Sequence, residues 1–161
     1  MTTANNILEK DINDFLASWT EGILGIGKAF RNNKNYKEIA MVFIQKHYAF
    51  ENEKVLFKPT YTSDVIFRNK VDEALSYFIS GNITEDSGFA IKPWQSISSS
   101  DINFLIEDHI CAVMGVLELK SEVTENITKI AFTFILKKTG QKLKIKIHHS
   151  YKKLIVFLFC M

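Results

Sequence analysis

The sequence predicts an α+β domain, and three observations carry that expectation. Apolar residues recur at helical spacing through the first half of the chain, the period changes to strict alternation after about residue 81, and tight-turn residues punctuate the alternating half. At 161 residues and 18.5 kDa the chain suits one domain, 1–161, built around a single core.

Leu8, Ile12, Phe15, Leu16, Trp19 and Ile23 recur every three or four residues, which predicts an amphipathic N-terminal helix. The helix runs into Gly22, Gly25 and Gly27. Each glycine costs a helix roughly 1 kcal/mol relative to alanine, so close packing against another element is expected there. GILGIGKAF is not a phosphate loop, because no strand precedes it and no Lys-Ser/Thr ends it. After a turn at Asn32 to Asn35, Tyr36, Ile39, Ala40, Phe43, Ile44, His47 and Tyr48 form a second helical stripe. VLFKPT reads as a short strand stopped by Pro59. A third helix from about Val71 carries Ala74, Leu75, Phe78 and Ile79 on one side, with Gly81 expected as its C-terminal cap. Strands are expected over Gly88 to Trp94, Ile102 to Asp108, Ile110 to Glu118, Ile130 to Lys137 and Lys142 to Ser150, the last two joined by a Thr139-Gly140 hairpin turn. Helices followed by an antiparallel meander define the class.

Charge is balanced, 20 basic against 18 acidic residues, so no whole-molecule field draws the chain to nucleic acid or to acidic membranes. Lys144 and Lys146 alternate with Leu143, Ile145 and Ile147, as a solvated strand face does, and no aromatics interleave with them as in a nucleic-acid stripe. Cys111 and Cys160 lie far apart without metal spacing, which predicts reduced, buried thiols and suits a cytoplasmic setting. The acidic start MTTANNILEKDINDFL lacks the pattern of an export signal. The tail Leu154 to Met161 is apolar but less than half the roughly 20 residues of a spanning helix, and reads as a last strand or a partner-contacting edge.

Among chemistry-bearing residues the pair His148-His149 stands out. Neighbours on a strand point to opposite faces, so the two do not readily share a metal. Parity with Leu143, Ile145 and Ile147 puts His149 on the apolar, pocket-facing side and His148 with the lysines; His149 is then either a hydrogen-bonded structural imidazole or a functional one. His47 and His109 read as helix-face and loop residues. Glu85-Asp86 and Glu107-Asp108 read as solvated turns. No metal-ligand cluster, nucleophile elbow or dinucleotide fingerprint occurs, so no cofactor is expected. What remains is a set of hydroxyls, Thr60, Tyr77 and Ser150, each of which can be a capping or core group or can border a pocket.

Together VLFKPT, Phe67-Arg68, LSYF (Leu75 to Phe78), the Glu85 to Trp94 block, Met114-Gly115 and IHHS (Ile147 to Ser150) resemble a bacterial and algal family. That family is similar to the calcium/calmodulin-dependent protein kinase II association domain and includes the iota-class carbonic anhydrases. The resemblance spans Trp19 to Ser150. It implies a cone-shaped α+β fold of the cystatin or nuclear-transport-factor-like type, with a curved antiparallel sheet wrapped around the N-terminal helices. It also implies dimerisation through the sheet, and a pocket in which a Thr, a Tyr and a Ser hold carbon dioxide or bicarbonate. By matching blocks Thr60, Tyr77 and Ser150 take those places. Family members include some that work without a metal and others linked to manganese; the missing ligand cluster fits the former. The family's usual HHSS is HHSY here, so Tyr151 stands where a second serine would. The expected chemistry is metal-independent hydration of carbon dioxide, with Tyr77 and Thr60 orienting water or bicarbonate, Ser150 donating to the oxygens and His149 relaying the proton. Two other functions suit the same fold: a homo-oligomeric association module without catalysis, and a cone that binds a small apolar ligand.

Overall fold

A computed structural model describes residues 6–153. Three helices, α1 (Glu9–Arg31), α2 (Tyr36–His47) and α3 (Val71–Ile79), pack against one face of a five-stranded sheet. Its strands are β1 (Leu56–Lys58), β2 (Trp94–Glu107), β3 (Ile110–Ser121), β4 (Ile127–Thr139) and β5 (Lys142–Lys152), in the order β1-β5-β4-β3-β2. The meander β2 to β5 is antiparallel as expected, whereas β1 joins the edge parallel to β5, which makes the sheet mixed. Two register shifts in β2, at Trp94/Ser96 and Ser100/Asn103, curve the sheet. The expected last strand over the tail, and Cys160, lie outside the described residues. Cys111 is buried and free.

Helix α1 buries Ile12, Phe15, Leu16, Trp19, Ile23 and Ile26. Leu8 does not pack with them: it is exposed, and its backbone N–H donates to Asp11 (2.8 Å) to cap the helix. The glycines divide by neighbourhood. A Cβ on Gly22 would run into the Phe43 ring, and one on Gly27 would sit 2.7 Å from the Ala90 carbonyl oxygen, while Gly25 faces open space. Close packing therefore explains two of the three. His47 is buried between helices, where Nδ1 donates to the Phe43 carbonyl (2.8 Å) and Nε2 accepts from Ser18 (2.9 Å).

Three local expectations are corrected. Ser80, not Gly81, takes the left-handed conformation that ends α3 (φ 63°); Gly81 is needed because a Cβ there would meet the Ser76 Cα at 2.9 Å. Gly88 to Trp94 is not a strand: Gly88 has φ 81°, Phe89–Ile91 form a single 3-10 turn, and β2 begins only at Trp94. The third correction concerns the histidines. Ile135 pairs Ile147 and Leu136 pairs Ile145, so Lys146 is an extra, bulged residue that inverts the alternation of β5. Leu143 and Ile145 point inward before the bulge, and His148 and Ser150 point inward after it. Ile147, His149 and Tyr151 face outward, so His149 is not on the pocket side.

Candidate active site

The parallel register of β1 on β5, with Phe57 opposite His148 and Lys58 opposite His149, brings the end of β1 alongside Ser150. Pro59 lacks the N–H that would continue the ladder, and the chain leaves the sheet at Thr60. The Thr60 and Ser150 hydroxyls lie 2.9 Å apart. Lys58 fastens the same corner by donating to the Ser150 carbonyl oxygen (3.3 Å). Tyr77 comes from the buried face of α3, and its phenol oxygen accepts from the backbone N–H of Tyr61 at 3.4 Å.

These three hydroxyls and His148 border one small cavity of about 10 Å³, room for about one water, open at one side. Trp19, Phe78, Phe89, Leu117 and Ile130 form its apolar walls. At about 10 Å³ the cavity is far smaller than the roughly 300–1,000 Å³ of sites that take drug-sized ligands, and the lining is not wholly apolar. The cavity is thus not the deep, all-apolar pocket that a cone binding a small apolar ligand would call for.

A buried ionic lattice ties the loop after Thr60 to α3. Arg68, fully buried, makes a bidentate pair with Asp86, and Ser76 of α3 donates to the same carboxylate at 2.6 Å. Glu85 accepts from the backbone N–H groups of Ser63 (2.8 Å), Asp64 (3.1 Å) and Val65 (2.8 Å), and these bonds hold its carboxyl down at about 2. Glu85-Asp86 is thus not a solvated turn. It ties the Thr60 loop to the helix that presents Tyr77.

Sequence reading missed His148, because the bulge is invisible to a rule of alternation. The imidazole is 4% exposed, stacked on Phe57 and edge-on to Phe134 (ring centroids 4.6 Å for each). Its Nδ1 lies 2.9 Å from the Tyr48 hydroxyl, which accepts from the Trp19 indole N–H at 3.3 Å. Burial pushes His148 down to about 3, with the neighbouring His149 adding to the shift, so the ring is neutral at ordinary pH. Burial likewise raises the Tyr77 phenol above its ordinary value and keeps it protonated. Every polar group of the cavity is therefore uncharged. Among the described residues no three His, Cys, Asp or Glu side chains cluster as a metal site would require.

A family model described as metal-independent carbonic anhydrase matches residues 10–152. The chain belongs to that family. Among solved structures it resembles an iota-carbonic anhydrase from a cyanobacterium, complexed with bicarbonate, at 25% identity and TM-score 0.90, over 97% of this chain and 98% of that one. A protein from Xanthomonas campestris described as a calcium/calmodulin dependent protein kinase II association domain is 16% identical with TM-score 0.65, covering 97% and 99%. A cystatin-like protein of unknown function from Nostoc punctiforme, 7% identical with TM-score 0.60 over 90% of each chain, shares the fold. No curated protein sequence matches the chain. The fold is the expected α+β type, helices against a curved sheet, of the nuclear-transport-factor-like and cystatin-like kind. Within this family the HHSY departure leaves the inward serine in place: Ser150 is buried beside Thr60, and Tyr151, 56% exposed, occupies an outward position.

Proposed function

We propose that this chain hydrates carbon dioxide to bicarbonate, without a metal, in the cavity bordered by Thr60, Tyr77, His148 and Ser150. The observation that carries this reading is the convergence of the Thr60 and Ser150 hydroxyls with the Tyr77 phenol around one small, open cavity. The apolar walls accept linear carbon dioxide, and the hydroxyls accept water. In the reaction the water oxygen bonds to carbon, one carbon–oxygen π pair moves onto oxygen, and water gives up a proton. Tyr77 and Thr60 orient the water. Ser150, able to donate and accept at once, takes part in passing the proton outward through the Thr60–Ser150 pair to solvent while donors stabilise the developing negative oxygen. His149 plays no part in this scheme, since it lies on the other face of the sheet.

Stopped-flow hydration assays on Tyr77→Phe, Thr60→Val and Ser150→Ala test the assignment. Each substitution is expected to lower the catalysed rate by about 10²-fold, as loss of a preorganised donor does elsewhere. Rates within twofold of the parent in all three would refute it.

We also infer that the chain works as a homodimer joined through the outer face of its sheet. Leu105, Ala112, Ile135, Ile147 and Leu56 are successive cross-strand partners and form an apolar row over all five strands, with Leu105 66% exposed. Such a row invites a partner of like character. The free, buried Cys111 thiol supports a reducing, cytoplasmic setting, and no helix among the described residues is long and apolar enough to cross a membrane.

A further inference from the structure

Tyr48 is fully buried and outside the cavity lining, yet it touches the one imidazole that reaches the cavity. Its hydroxyl has two polar neighbours among the described residues, Trp19 Nε1 at 3.3 Å and His148 Nδ1 at 2.9 Å. An indole N–H can only donate, so it occupies a lone pair of the Tyr48 oxygen. The Tyr48 proton then has one acceptor within reach, His148 Nδ1. In the opposite arrangement Nδ1–H would donate to Tyr48, and the buried phenol proton would be left with no acceptor among the described residues, a cost of about 1–3 kcal/mol.

With Nδ1 accepting, the single proton of the neutral ring sits on Nε2. Among the described residues Nε2 has no protein partner, and no fully enclosed side-chain nitrogen or oxygen lacks one. Nε2 therefore meets accessible space, and the accessible space beside His148 is the cavity.

We infer that Tyr48, held by Trp19, is a positioning residue that fixes His148 as the Nε2–H tautomer and so aims a neutral N–H donor at an anionic oxygen in the cavity. The assignment has a chemical consequence. His148 cannot be the base that takes a proton from water, because its one lone pair is turned away toward Tyr48. It serves as a fourth donor, beside the three hydroxyls, and favours an oxyanion over neutral carbon dioxide. The inference rests on the proposed reaction only for the identity of that anion as bicarbonate.

Side-chain nitrogen NMR on protein labelled with ¹⁵N-histidine reads the tautomer directly. The parent protein is expected to show an unprotonated, pyridine-like Nδ1 and a protonated, pyrrole-like Nε2 at His148. A protonated Nδ1 would overturn the inference, and this measurement needs no variant to fold. In Tyr48→Phe the His148 signals are expected to move toward a mixture of tautomers, and bicarbonate titrated against them should bind about tenfold more weakly. An unchanged tautomer and affinity in that variant would also overturn it. If the parent shows the Nε2–H tautomer and binds bicarbonate but hydrates carbon dioxide no faster than buffer, the tautomer lock stands and the proposed reaction falls.

Discussion

Burial decides what each polar group around the cavity can do. The Tyr77 phenol and the His148 ring are both held in their neutral forms chiefly by desolvation, so hydrogen-bond direction, not charge, is what the site can offer a ligand. The same burial links stability to pH. His47 is lowered to about 4 and His148 to about 3, against an ordinary value of 6.5. The unfolded chain takes up these protons first. Their contribution is thus complete above pH 6.5 and is lost as pH falls toward the folded values, at about 1.4 kcal/mol per histidine for each unit. Urea melts at pH 7, 6 and 5 are expected to show this decline; a flat profile over that range would contradict it. Arg68 is fully buried and paired with a buried carboxylate. Arg68→Ala leaves the Asp86 carboxylate buried without its counter-charge and is expected to cost about 3–5 kcal/mol in denaturant unfolding, where loss of a surface pair would cost less than 1.

At the scale of elements, periodicity revealed what is locally encoded. The stripes of α1, α2 and α3 and the alternation of β3 and β4 are patterns within a single segment, and they are present in the structure. Devices that depend on a distant partner were not legible. The bulge at Lys146 is fixed by its Nζ donating to the Lys54 carbonyl (2.6 Å) and pairing with Glu53, contacts that no alternation rule contains, and it exchanges the faces of His148 and His149. Asp86 likewise looks like a turn residue until Arg68 and Ser76 are brought to it. Thr60, Tyr77 and Ser150 stand out in the sequence only as candidate hydroxyls, to which the family resemblance gives roles; the meeting of Thr60 with Ser150 depends on the parallel β1–β5 pairing. The glycines of α1 test packing at this scale. Gly27→Ala is expected to destabilise by about 1–3 kcal/mol, since the new Cβ meets backbone at Ala90, whereas Gly25→Ala, facing open space, should stabilise by up to about 1 kcal/mol. Thermal melts of the two variants moving in the same direction would contradict that packing.

For the whole molecule, the sheet separates two tasks. Its inner face, with the row Gly115, Phe132 and Ser150, supports the cavity, while its outer face carries the apolar row that we assign to self-association. Leu105→Asp on the outer row is expected to shift sedimentation from dimer to monomer, with the helical circular dichroism preserved; a dimer that persists would move the interface elsewhere. Metal-independent hydration is decided by stopped-flow assay of the parent protein after exhaustive treatment with chelator. Catalysis is expected to survive metal removal undiminished. A rate no greater than buffer, or one that returns only when a divalent metal is added back, would contradict it.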